Sequence, residues 1–90
     1  MAHEELDKLR AEIDGLDEKL VFLLVVRFQI TDRIGLLKHA AGLPPIDAQR
    51  EVEQMVRVGE LAQQAGLNTA FAHKFLRLVI DEVVRHHQRF

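Results

Sequence analysis

The chain contains no cysteine, serine, tyrosine or tryptophan. Without cysteine there is no disulfide, no thiolate nucleophile and no thiolate-bound metal, so a small domain must be held together by packing. Covalent catalysis would fall to Thr31, Thr69 or a lysine, and no triad-like spacing supports any of them. The aromatic residues are five phenylalanines, too few for a stacking platform along a nucleic acid strand. Twelve Lys and Arg stand against fourteen Asp and Glu, a net charge of −2 with no basic run, so the footprint of a nucleic-acid binder is missing. The longest unbroken apolar run, Leu20–Val26, is far short of the roughly 20 residues that cross a bilayer. The opening Met-Ala-His-Glu-Glu lacks the basic-then-apolar pattern of a signal peptide, so the expected location is cytoplasmic. Glycine-rich phosphate loops are absent as well.

What is present is helical. A hydrophobic share of 48% with 29% charged residues describes a soluble globular chain, and 90 residues allow one domain, 1–90. Turn signals fall at Gly42-Leu43-Pro44-Pro45 and at Gly66-Leu67-Asn68, with no strand alternation and no internal repeat between them. The expected fold class is all-α, with one long helix and two shorter ones. Leu6, Leu9, Ile13, Leu16, Leu20, Leu23, Leu24, Arg27, Ile30 and Ile34 recur at steps of three and four, predicting a first helix from about Glu4 to about Ala41. Gly15 and Gly35 lie inside it, each at a cost of up to about 1 kcal/mol relative to Ala. Asp47 is the expected N-cap of a second helix to about Ala65, with Gly66 suited to its C′ position. Asn68 or Thr69 would cap a third helix to about Gln88, with Phe71, Phe75, Leu76, Leu78, Val79, Ile80, Val83 and Val84 on a broad apolar face.

Helix length is itself an argument. About 37 helical residues extend about 55 Å, whereas a compact domain of this size has a radius of gyration near 12 Å. Two helices of half that length cannot cover such a rod, and the Leu20–Val26 girdle is apolar nearly all round. A homodimer pairing two long helices is the simplest solution. The alternative is a helix broken near Gly15 or Gly35 and folded into a monomeric bundle.

The candidate functional residues are charges placed where an apolar residue belongs. Arg27 interrupts the stripe of the first helix. Lys38, eleven residues later, points to within about 20° of the same direction, some 16 Å along the axis. Arg10 is about 260° round from Arg27, so it joins the same site only from another copy of the chain. Asp47 and Glu51 lie one turn apart, with Arg50 between them. Each has a plainer explanation. Arg10 and Lys38 could be surface cations with stems along apolar surface, Asp47 a cap alone, and Arg50 and Glu51 the start of a solvated helix. Arg27, beside seven apolar residues, needs an anion, which could be Asp17, Asp32, Glu51 or a ligand carboxylate. His3, His39, His73, His86 and His87 have no metal-ligand spacing, so no metal site is expected.

Taken together, Leu9-Arg10-Ala11-Glu12-Ile13-Asp14, Leu16-Asp17-Glu18-Lys19-Leu20, Arg27, Gly35, Lys38 and Pro45-Ile46-Asp47-Ala48-Gln49-Arg50-Glu51 resemble the all-helical chorismate mutase family. The resemblance runs from about Leu6 to about His87. It implies an intertwined homodimer with a long first helix shared across both subunits, and conversion of chorismate to prephenate by an intramolecular Claisen rearrangement that needs no nucleophile and no cofactor. It further implies that Arg10 of the neighbouring subunit and Arg27 hold the two substrate carboxylates. Lys38 would bind a carboxylate and the ether oxygen, Asp47 and Glu51 the ring hydroxyl, and Arg50 would support the anionic side of the pocket.

Two positions depart from the family pattern. Val83 stands where a Ser is usual, removing a polar contact to a carboxylate. His87 stands where a Gln or Glu usually supplies a second donor to the ether oxygen. His87 could donate from a ring N–H, better as an imidazolium, which predicts activity rising as pH falls; it could also be a helix-terminal His favoured by the macrodipole. Gln88 could substitute if the helix were rotated. Isochorismate-pyruvate lyase and aminodeoxychorismate mutase activities are the alternatives on the same fold, and a non-catalytic helical dimerisation or regulatory module is the alternative without chemistry. No fused regulatory domain is expected.

Overall fold

The computed structural model describes residues 1–89 and consists of three helices: α1 (Ala2–Ala40), α2 (Ala48–Ala65) and α3 (Thr69–His87). There is no strand among the described residues. α1 begins two residues earlier than the hydrophobic stripe predicts, because Glu4 and Glu5 in its first turn favour the positive helix end and Glu5 N–H bonds to the Met1 carbonyl. Neither Gly15 nor Gly35 interrupts it.

Each helix stops for a local reason. At the end of α1, Gly42 takes φ 70°, and the Leu43 and Gly42 N–H groups bond back to the carbonyls of Lys38 and His39 at 2.8 and 3.2 Å. At the end of α2, Gly66 takes φ 77°, and the Leu67 and Gly66 N–H groups reach Ala62 and Gln63. Both are Schellman closures, in which the left-handed residue is Gly because a Cβ is unfavourable there. Asp47 caps α2 through its Oδ1, which accepts from Arg50 N–H at 3.0 Å. Asn68, of the two expected candidates, caps α3 by accepting from Phe71 N–H at 2.8 Å.

The chain forms two compact units, Met1–Ile30 and the residues from Thr31 onward. The first is the bulk of α1. Its apolar stripe faces solvent: Leu20 is 53%, Phe22 65% and Leu23 61% exposed, and Leu6, Leu9, Ile13 and Leu16 are likewise open. In the second unit α2 packs on α3, burying Ala62, Ala72, Leu76, Val79 and Ile80. Small residues bring the two helices close. A Cβ on Gly59 would stand 2.9 Å from His73 Nε2, the atom that donates to the Met55 carbonyl at 3.1 Å. No helix among the described residues is long and apolar enough to cross a membrane.

Candidate active site

The end of α1, the loop after it and the end of α3 meet within the second unit. The Schellman closure at Gly42 sets Lys38 in the last turn of α1 and folds the Leu43–Asp47 loop back, so that Lys38 Nζ donates to the Pro45 carbonyl at 3.2 Å. Lys38 is half-buried, and its ammonium also lies 3.5 Å from Nδ1 of His87 on α3. Gly35, Lys38, His39, Leu43, Pro45, His87 and Gln88 enclose a cavity of about 100 Å³. The structure thus brings Lys38 and His87, 49 residues apart in sequence, to one cavity, together with Gln88.

His87 is 6% exposed, the one buried polar residue among those described. Its Nε2 lies 2.7 Å from the Thr31 carbonyl. A carbonyl only accepts, so Nε2 carries the proton, and the Nδ1 facing the Lys38 ammonium is the accepting nitrogen. This differs from the expectation that His87 offers its N–H to a ligand: the N–H is directed at α1 backbone. The neighbouring His86 points about 100° away. Its Nδ1 meets Asp32 Oδ1 at 3.1 Å and its Nε2 meets Glu82 Oε1 at 3.5 Å, so the two histidines tie α3 to the last turns of α1 side by side. Val83, one turn before His87, is half-buried and brings no polar group.

The acidic pair at the start of α2 is already engaged. Asp47 serves as the cap, and Glu51 Oε1 accepts from Arg77 Nη2 at 2.9 Å, while Arg77 Nε donates to Asp81 at 3.0 Å. The hydrogen bond that Arg77 donates to Glu51, opposed in part by burial and reinforced by the nearby Asp81 charge, raises the Arg77 pKa above its ordinary value, so the guanidinium stays charged. Arg50 is exposed and pairs with Glu53 at 3.6 Å. Sequence reasoning did not find Arg77; the only trace of it is the i, i+4 spacing to Asp81. In the first unit Arg10 is exposed, whereas Arg27 is half-buried with its Nη1 shielded from water. Among the described residues no group of three or more His, Cys, Asp or Glu is arranged to hold a metal.

A cationic, partly buried lysine in a small cavity suits an anionic ligand. The sequence decides which family this arrangement belongs to, because the model of chorismate mutase type II matches residues 9–88. The chain belongs to the chorismate mutase type II family. Relatives of this family member include the T-protein of Haemophilus influenzae, 31% identical over 87 residues, which cover 97% of this chain and 23% of that protein. The bifunctional chorismate mutase/prephenate dehydratase of Escherichia coli is 30% identical over 76 residues, 84% of this chain and 20% of the relative. A chorismate mutase of Methanocaldococcus jannaschii is 24% identical over 78 residues, 87% of this chain and 79% of the relative. The chain therefore spans about a fifth of the length of the first two relatives, and most of the third.

Proposed function

We propose that this chorismate mutase type II chain rearranges chorismate to prephenate as an isomerase, in the cytoplasm and without a covalent intermediate, with residues 1–90 serving as one domain of a homodimer. The observation that carries the reading is the Lys38 ammonium, half-buried at the cavity with Gln88 and His87. Among the described residues Lys38 contacts the Pro45 carbonyl and the His87 ring, and an ammonium has three N–H groups, so one is left for a ligand.

The chemistry follows from charge. Chorismate is a flexible dianion, and cations that fix both carboxylates remove the orientational cost of bringing the reacting carbons together. Arg27 takes one carboxylate and Arg10 the other, with Arg50 supporting the anionic side. As the carbon–oxygen bond breaks, negative charge grows on the ether oxygen, and the preplaced Lys38 N–H stabilises that state more than the ground state. Asp47 and Glu51 contact the ring hydroxyl, whose single proton goes to one carboxylate oxygen not used by the Arg50 N–H and Arg77 contacts.

Two features support a second copy. Arg10 and Arg27 are seventeen residues apart on one helix, a rise of about 26 Å, too far for both to grip one small dianion from the same chain. The cavity of about 100 Å³ is also well below the ~300–1,000 Å³ of ligand pockets, so further walls are needed. A partner α1 supplies Arg10 and covers the open stripe at Leu20–Leu23.

The test is to incubate the purified protein separately with chorismate, isochorismate and aminodeoxychorismate and identify the products. Prephenate from chorismate is expected, and Lys38→Ala should lower kcat/KM by about 10²–10³ while the far-UV circular dichroism is retained. Pyruvate release from isochorismate alone would move the assignment to a lyase. Absence of turnover and of binding to a bicyclic dicarboxylate analogue, with the dimer intact, would favour a structural module.

A further inference from the structure

We propose that His87 acts as a positioning residue for Lys38, in its neutral form, and makes no contact with the substrate; this rests on Lys38 being the donor to the ether oxygen. The ring bridges two fixed groups of α1. Its Nε2–H holds the Thr31 carbonyl at 2.7 Å, which orients the ring, and its unprotonated Nδ1 lies 3.5 Å from Lys38 Nζ, whose other acceptor, the Pro45 carbonyl, comes from the loop at 3.2 Å. Two acceptors on separate elements confine a long, flexible side chain that would otherwise sample many rotamers. The confinement is at the atom where negative charge is to develop, where preorganisation matters most.

The sign of the pH dependence follows. A second proton on the ring would sit on Nδ1, converting the acceptor that faces Lys38 into a donor bearing like charge. Lys38 would then lose one of its two anchors and be repelled from the cavity. Activity therefore falls as pH falls, the reverse of what an imidazolium donating to substrate would give. The charged and titratable groups near the ring are few. α1 contributes Lys38 and His39 to the cavity; α3 contributes the adjacent His86, which is turned to Asp32 and Glu82, with Arg85 on Glu82; α2 contributes none of the cavity's lining residues.

A glutamine side chain offers an NH2 group with two N–H donors and a carbonyl acceptor and does not titrate, so it can replace both functions of the neutral ring. A methionine fills similar space and offers neither. The experiment measures kcat and KM from pH 5 to 8 for the wild type, His87→Gln, His87→Met, His39→Asn and His86→Gln, with circular dichroism at each pH. The expected wild-type kcat falls toward pH 5, with KM changing less. His87→Gln should keep most of the activity and lose the acid limb. His87→Met should be slowed at least about tenfold at every pH, as expected for loss of a catalytic group's orientation. The His39 and His86 variants should keep the acid limb.

A rate that rises or stays flat toward acid in the wild type overturns the proposal. So does an acid limb that survives in His87→Gln, a His87→Met variant as active as His87→Gln, or helix loss that tracks the rate. Ring ¹⁵N–¹H correlation on the ligand-free protein gives an independent answer: the Nε2–H tautomer of His87 is expected at neutral pH, and an Nδ1–H tautomer contradicts it. If no chorismate turns over at any pH, the proposed activity fails, while the tautomer still decides the geometry of His87.

Discussion

From Thr31 onward the chain covers its own apolar side chains, with Ala62, Ala72, Leu76, Val79 and Ile80 closed from water where α2 packs on α3. Over Met1–Ile30 it does not: the same kinds of residue, at regular helical spacing, stand in solvent through Leu6, Leu9, Ile13, Leu16, Leu20 and Leu23. The two regions have similar local helical character and opposite burial. Amphipathic patterning alone therefore does not secure burial: α2 and α3 close on each other, whereas the α1 stripe would be closed by the second copy of the proposed dimer. It also divides the site. Lys38 and His87 are set by contacts of the second region, while the roles proposed for Arg10 and Arg27 depend on the proposed second copy meeting the first.

The largest effect expected from breaking this contrast is at the exposed girdle. In an unpartnered helix Leu23→Glu would change stability by no more than about 0.5 kcal/mol, since exposed positions tolerate substitution. In a dimer it buries an unpaired carboxylate at a cost of several kcal/mol. We expect light scattering to show the mass falling from twice the 10.3 kDa chain toward the single-chain value, with loss of helicity; an unchanged mass and melting curve would show that this face is not covered. In the second region, Leu76→Ala removes a buried side chain between helices and should destabilise by about 2–5 kcal/mol in urea titrations, without first dissociating the dimer. A change below about 0.5 kcal/mol would mean that Leu76 is not part of the packing that holds the second region together. The smallest effect is at Gly59→Ala. The new methyl gains about 1 kcal/mol in helix propensity but displaces His73 from the Met55 carbonyl, an overpacking cost of about 1–3 kcal/mol, so a net loss of about 1 kcal/mol is expected. A more stable variant would show that the ring rotates away freely.

Much of this was readable from residue order because it is local. The helix boundaries follow from Asp47, Gly66 and Asn68, whose capping roles involve partners within five residues. The cations in the α1 stripe could be picked out because 3.6-residue periodicity makes Arg27 an intruder among apolar neighbours. What could not be read is pairing between distant segments and pairing to backbone. Glu51 meets Arg77 across 26 residues, and nothing in the spacing of either announces it. His87 was legible as a candidate on the apolar face of α3, yet its role turns on the Thr31 carbonyl, and every residue carries a carbonyl. Position along a helix face selects candidate residues; the direction of each N–H is decided by the packing of α3's end against α1's end.

In the proposed dimer two copies of the chain build each site, one giving Arg10 and the other giving Arg27 and Lys38. The direct measurement is complementation between two variants inactive on their own, Arg10→Ala and Lys38→Ala, unfolded together and refolded as a mixture. Random pairing makes half of the dimers mixed, and each mixed dimer holds one site with both residues intact and one with neither, so about one quarter of wild-type activity should return. A mixture that stays as inactive as its components would place Arg10 and Lys38 of the same chain in the same site, or Arg10 outside it, and would contradict the account.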